Sequence, residues 1–271
     1  MKIFKDKQRL KKEISGLKNL SFVPTMGSLH NGHKYLIKKA KSKKNKVIVS
    51  IFVNPKQFDS KIDFKKYPRN LRKDLKILNS LNVHYVYMPN FKDIYSFMPK
   101  HKIHMDKFSK KLCGKFRKIH FFGVLNVVNR FIDIIKPNYM YLGFKDYQQL
   151  YLIKKHIMKR KIKTKIIGCK TVREKNSYAL SSRNKRLSKK ERLIATKVYQ
   201  TLSQEKIKLK KINISKFNYE KIYKKISNLG VKKIDYIELI NIKNPEKKIN
   251  KSNFNIFIAY YLSNVRMIDN L

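Results

Sequence analysis

Along the first two thirds of the chain, short apolar runs alternate with lysine-studded segments of helical period, and that alternation predicts an α/β protein. Leu20 to Pro24 reads as a buried strand. A glycine-containing loop follows, and the pattern resumes with Leu36, Ile37 and Ala40 on one side and Lys34, Lys38 and Lys39 on the other, as in an amphipathic helix. Val47 to Val53 is almost unbroken apolar sequence, the signature of a parallel strand covered on both faces. Further strands are predicted over Val83 to Met88, Asn138 to Leu142 and Lys165 to Cys169. Helices are predicted over 1–19, from Pro68 to about Ser80, from Gly123 to just before Pro137, and after Gln149 with Leu150, Ile153, Ile157 and Met158 inward. Residues 59–67 read as a mobile loop and 90–118 as irregular and basic.

Beyond about residue 170 the pattern changes. Ser188 is placed to cap a helix, a second helical pattern follows, and IDYIELI and FNIFIAYYL alternate as strands. The expected organisation is therefore a Rossmann-like parallel-sheet domain over 1–172 and a smaller α+β domain over 173–271.

The candidate chemistry gathers where strands end. Between the first strand and its helix lie Thr25, Met26, Gly27, Ser28, His30, Gly32 and His33. Free amides at a helix start, the helix dipole and close backbone approach at glycine all favour an anion there. Two histidines three residues apart could donate hydrogen bonds to charge developing on phosphorus during substitution. The plain alternative is that both satisfy a buried turn. Zinc fits less well, because no nearby cysteine, third histidine or paired carboxylate completes a site. Asn54, Pro55 and Gln57 follow the next strand; the first two also make an ordinary turn, whereas Gln57 lies beyond it and is the better ligand contact. A second strand-loop-helix carries Gly143, Phe144, Lys145, Asp146 and Gln149, with lysine suited to phosphate and aspartate to sugar hydroxyls. Ser181, Ser182 and Arg183 form a compact donor set before the helix capped by Ser188.

Composition narrows the class. A chain of 271 residues with 42% hydrophobic content can bury a substantial core. Apolar runs are too short to span a bilayer, and MKIFKDKQRLKKE lacks the apolar stretch of a signal peptide, so a cytoplasmic protein is expected. Two cysteines, Cys113 and Cys169, provide no disulfide framework. The 66 Lys and Arg against 17 Asp and Glu, net +49, suggest a polyanionic partner. Yet lysine is dispersed over the helix faces alongside abundant Ile, Asn, Tyr and Phe, residues that share AT-rich codons, and codon bias explains the excess without nucleic acid. On either account the field draws in small anions.

PTMGSLHNGH, VSIFVNPKQF, YPR, GFKDYQQL and ALSSRN occur in an order and spacing that resemble the pantothenate synthetase family over essentially the whole chain. The resemblance implies an ATP-dependent ligase that condenses pantoate with β-alanine through pantoyl adenylate, releasing pyrophosphate and then AMP. It implies that Met26, Gly27, Ser28, Leu29, His30, Asn31, Gly32 and His33 line the nucleotide, with His30, His33 and Lys145 catalytic and His33 the proton donor. Gly143, Phe144, Lys145, Asp146, Val172, Leu180, Ser181, Ser182 and Arg183 would complete the ATP contacts. Gln57 and Gln149 would hold pantoate, and Gln57 also β-alanine. Asp74 is offered as a contact for the Mg2+ that accompanies ATP, and Arg117 as a phosphate or lid residue. A homodimer is implied, with no organic cofactor, membrane or specific nucleic acid. Phe144 stands where the family usually has Glu, Cys113 where Glu is common, Lys118-Ile119 within a usual Arg-Pro-x-His-Phe, and Lys56 where Met is common. The rivals are another nucleotidyltransferase of the same superfamily, which would need neither Gln57 nor Gln149, and an RNA-binding protein on an enzyme scaffold.

Overall fold

A computed structural model describes residues 1–42, 45–175, 177–212 and 214–271. These fall into two compact units: Met1–Ser109 with Arg117–Thr171, and Lys110–Phe116 with Val172–Leu271. The second unit thus takes a short segment from the middle of the chain that no change in composition marks.

The first unit is built on six parallel strands, β1 (Lys2–Phe4), β2 (Leu20–Thr25), β3 (Lys46–Ile51), β4 (Tyr85–Tyr87), β5 (Tyr139–Gly143) and β6 (Lys165–Cys169), in spatial order β1-β4-β3-β2-β5-β6. Its helices are α1 (Lys7–Ile14), α2 (Asn31–Lys41), α3 (Lys61–Lys65), α4 (Leu71–Ser80) and α5 (Phe91–Tyr95), while α6 (Cys113–Phe116) lies in the second unit; α7 (His120–Ile135) and α8 (Tyr147–Lys159) return to the first. Alternate residues of the central strands enter opposite layers. Val23, Val47, Val49 and Val86 pack with Leu29, Ile37, Ala40 and Leu78 of the segments that follow. On the other face, the rings of Phe22, Phe52 and Tyr87 meet Phe131 of α7. Twelve of the sixteen residues of α7 are buried, so it acts as an internal wall and not as a surface helix.

Several expectations change. Residues 1–19 are not one helix: Lys2–Phe4 add an edge strand to β4, and Asp6 starts α1 by accepting the amides of Gln8 and Arg9 at 2.9 and 2.8 Å. The 59–67 segment contains α3, capped by Ser60, and 90–118 contains α5, capped by Asn90. Pro68 precedes α4 instead of opening it, because Asn70 takes the cap position and accepts the Lys73 amide at 3.0 Å.

In the second unit α9 (Lys189–Lys211) and α10 (Tyr219–Ser227) accompany an antiparallel sheet of β7 (Lys233–Asn241), β8 (Phe254–Leu262) and β9 (Val265–Asn270). Ser188 and Glu191 form a reciprocal capping box at the start of α9. Val198, Leu202, Ile222, Ile237, Ile256 and Ile258 share its core. The alternating pattern predicts only two strands here. The third is missed because the β8–β9 hairpin turns through Ser263, at φ +46°, and Asn264, without a glycine.

Candidate functional site

In the first unit, the chain leaves β2 toward β3 on one side and leaves β5 toward β6 on the other. β2 and β5 pair directly, with Ser21 opposite Tyr139 and Phe22 opposite Met140. Their carboxyl ends, Thr25 and Gly143, therefore open at the point where the sheet order reverses, the position at which open α/β sheets bind ligands. Both sequence-predicted loops emerge there.

The Thr25–His30 loop is tied down from three directions. The Thr25 hydroxyl donates to the Ser50 carbonyl at 2.6 Å and accepts the Gly27 amide at 3.2 Å. Gly27 and Ser28 follow with positive φ, +75° and +52°, which turns consecutive amides toward a common point. Asp74 of α4 occupies that point: Oδ2 accepts the Ser28 amide and Oδ1 the Leu29 amide, each at 2.7 Å, with only 2% of the residue exposed. A side chain at Gly27 would begin 2.9 Å from the same carboxylate. Gly27, Ser28 and Leu29 are accordingly buried supports, with the Leu29 side chain in the core, while Met26, His30, Asn31, Gly32 and His33 reach the surface.

The histidines are caps as well as candidate donors. His30 Nδ1 accepts the Gly32 amide at 3.1 Å, and His33 Nδ1 accepts the His30 amide at 3.3 Å, a reciprocal box at the start of α2. Their ring centroids are 4.1 Å apart. Because each Nδ1 uses its lone pair on a backbone N–H, the neutral rings carry their protons on Nε2. The two readings weighed from sequence, a satisfied turn and a phosphate site, are therefore compatible: the turn fixes the tautomer.

Gln57 ends a 3-10 turn, Pro55–Gln57, capped by Asn54. The Asn54 amide donates to Gln57 Oε1 at 3.2 Å and to the Gly123 carbonyl at 3.1 Å, and Gln57 Nε2 points to Met26 Sδ at 3.0 Å. Asn54 is thus more than an ordinary turn residue. Gly123 admits this packing, since a Cβ there would lie 2.1 Å from the Lys56 carbonyl. The Gln57 carbonyl receives Arg117 Nη2 at 3.2 Å and lies 2.8 Å from His120 Nδ1, while Arg117 also pairs with Asp59 at 3.2 Å. Tyr95, whose hydroxyl donates to Asn54 Oδ1 at 2.9 Å, and His120 were missed from sequence; neither sits in a polar strand-end motif.

At the second mouth, Gly143 leads into a Phe144–Asp146 turn in which Lys145 pairs with Asp146 at 3.2 Å. Gln149 is half-buried in the first turn of α8. The Phe144 ring edge lies against Gly168, where a Cβ would fall 2.9 Å from it, so the residue that replaces the usual Glu packs on β6. In the second unit, Val172 accepts the Leu180 amide at 3.0 Å and Ser181 accepts the Arg183 amide at 3.3 Å. Ser181 is therefore itself a cap, of the Ser182–Arg186 turn, as well as a member of the expected donor set. Ser182 is buried and Arg183 half-buried.

Among the described residues no group of three or more His, Cys, Asp or Glu could hold a metal ion. Asp74 is behind the loop, with each oxygen accepting an amide, so its position shapes the loop. The described residues therefore provide no all-protein cage for magnesium. Mg2+ is commonly carried by substrate phosphates and water. No helix among the described residues is long and apolar enough to cross a membrane.

A family profile described as pantoate-beta-alanine ligase matches residues 2–271. A pantothenate synthetase of Francisella tularensis subsp. novicida (strain U112) is 43% identical over 257 residues, covering 93% of this chain and 88% of that protein. Among solved structures, the pantoate-beta-alanine ligase of Francisella tularensis complexed with beta-gamma ATP and beta-alanine is similar at a TM-score of 0.86 and 40% identity, covering 100% of this chain and 97% of that one. Pantothenate synthetase from Thermus thermophilus matches at a TM-score of 0.84 and 29% identity, covering 100% and 99%.

Proposed function

Since the chain belongs to the pantoate-beta-alanine ligase family, we propose that it joins pantoate to β-alanine in two steps driven by ATP. A pantoate carboxylate oxygen attacks the α-phosphorus of ATP, and pyrophosphate leaves with the electrons of the broken P–O bond. The β-alanine amine then attacks the acyl carbon of pantoyl adenylate; AMP leaves, the amine loses a proton, and pantothenate forms. No enzyme nucleophile is needed, so catalysis rests on alignment and charge stabilisation.

The observation that carries this reading is the paired capping of His30 and His33. It fixes two Nε2–H donors at the carboxyl end of β2, beside the start of a helix, where negative charge on phosphate is favoured. In the proposal both donate to ATP phosphate oxygens, with His33 the principal donor, and Lys145 adds a positive charge from the adjacent strand end. Gly143 and Asp146 meet the ribose. Gln57 and Gln149 hold pantoate, and Gln57 also meets β-alanine. The part assigned to Val172, Leu180, Ser181, Ser182 and Arg183 as nucleotide contacts, a lid role for the second unit, Mg2+ arriving with ATP, a homodimer and a cytoplasmic location all rest on the family resemblance.

Product analysis tests the proposal. Purified protein given Mg-ATP, pantoate and β-alanine is expected to yield pantothenate and AMP in equal amounts. A folded sample that makes neither, or that transfers nucleotide without pantoate, overturns it and favours a different transferase.

A further inference from the structure

We infer that Tyr95 is a positioning residue which, acting through Asn54, fixes the Gln57 side chain as a hydrogen-bond donor toward the substrate acid. The inference rests on the proposed role of Gln57 in pantoate binding and adds a direction to it: the Gln57 NH2, not its oxygen, faces the ligand.

The orientation follows from groups whose hydrogen-bonding roles cannot change. The Gly123 carbonyl can only accept, and it lies 3.1 Å from Asn54 Nδ2. The Lys56 backbone N–H can only donate, and it lies 3.3 Å from Asn54 Oδ1. Together they leave one orientation for the Asn54 amide, which is 1% exposed. Its second N–H is directed at Gln57, 3.2 Å away, so Gln57 must answer with Oε1. The Gln57 NH2 is then the opposite end, and it points at Met26, in the loop that carries His30.

Tyr95 makes the shorter of the contacts to Asn54 Oδ1, at 2.9 Å, and an oxygen acceptor requires its hydroxyl to donate. Burial pushes the Tyr95 hydroxyl up to about 12, so it keeps that proton at neutral pH. The ring is held in place by Phe91 at 4.6 Å, by the Lys56 ammonium 4.2 Å from its centroid and by the Arg130 guanidinium at 4.8 Å. Lys56 is the residue that replaces the common Met, so the site's departure from its family contributes to the clamp. A thioether is a weak acceptor, which leaves the Gln57 NH2 best satisfied by a carboxylate or hydroxyl oxygen of the bound acid.

Tyr95→Phe keeps the ring and removes only the donor. At saturating ATP, the KM for pantoate is expected to rise roughly five- to tenfold, the loss of one buried hydrogen bond, with the KM for ATP within about twofold and the melting temperature little changed. An unchanged pantoate KM, or equal rises for both substrates, overturns the inference. Gln57→Glu provides a second reading, because it keeps an oxygen toward Asn54 and puts another where the NH2 was. Loss of pantoate saturation with ATP binding retained supports the donor orientation, and near-wild-type pantoate KM contradicts it. If the unaltered protein shows no pantoate dependence, the ligase reading fails, a result distinct from either variant's.

Discussion

The Asp74 carboxylate accepts the Leu29 backbone amide at 2.7 Å, from a helix forty-five residues further along the chain. Its other oxygen holds Ser28 at the same distance, so one buried side chain sets the path of the loop that ends in His30. In Asp74→Asn one of those amides would face an NH2 group. The loss of a charge-assisted bond predicts a destabilisation of about 1.5–3 kcal/mol in urea unfolding and a raised KM for ATP. Added magnesium is expected to leave the defect unchanged. Recovery at high magnesium would instead make Asp74 a metal contact.

His33→Ala removes a proposed phosphate donor and one half of the cap at α2. The expected result is a fall in adenylation rate of about 10²- to 10³-fold, with a stability cost near 1 kcal/mol and an unchanged far-UV spectrum. Turnover close to the unaltered protein's would remove His33 from the chemistry.

Gly123→Ala places a methyl group 2.1 Å from the Lys56 carbonyl, within the core wall formed by α7. The turn bearing Gln57 must then move. Overpacking of this kind costs about 1–3 kcal/mol, and the pantoate KM should rise more than the ATP KM. Full stability with normal pantoate binding would show that the turn yields freely.

His156 gives the first unit a pH dependence away from the site. Nδ1 accepts the His104 amide at 3.2 Å and Nε2 lies 3.4 Å from Asn129 Oδ1, so the buried ring is held neutral. Burial, and then the nearby Arg160 charge, push its pKa down to about 4. An unfolded histidine titrates near 6.5. The unfolded chain therefore binds the extra proton between these values, and His156 contributes its full stability above about pH 6.5, losing it as pH falls toward 4. Urea unfolding of the unaltered protein and His156→Gln over that range should show a smaller slope with pH in the variant. Equal slopes would refute the assignment.

How much of this was legible in sequence varies with the kind of interaction. The β2 and β5 mouths were readable because apolar runs, glycine and polar strand ends are local signals, whereas their adjacency is set by the strand order, which only the fold shows. The tie between Asp74 and Leu29 was not, since nothing local in α4 says where its one buried carboxylate points. Tyr95 was missed for the same reason: it reads as part of an irregular tract, and only the fold brings its hydroxyl to Asn54. Lys2–Phe4 and Val265–Asn270 were missed because a three-residue edge strand has too few positions to show a period, and a Ser-Asn turn lacks the usual glycine.

In the proposed reaction the paired-histidine loop activates pantoate as an adenylate before β-alanine takes part. The most direct test is exchange of labelled pyrophosphate into ATP by the purified protein, with pantoate present and β-alanine omitted. Pantoate-dependent exchange that His33→Ala largely abolishes is the expected result. Exchange without pantoate, or none until β-alanine is added, would contradict it.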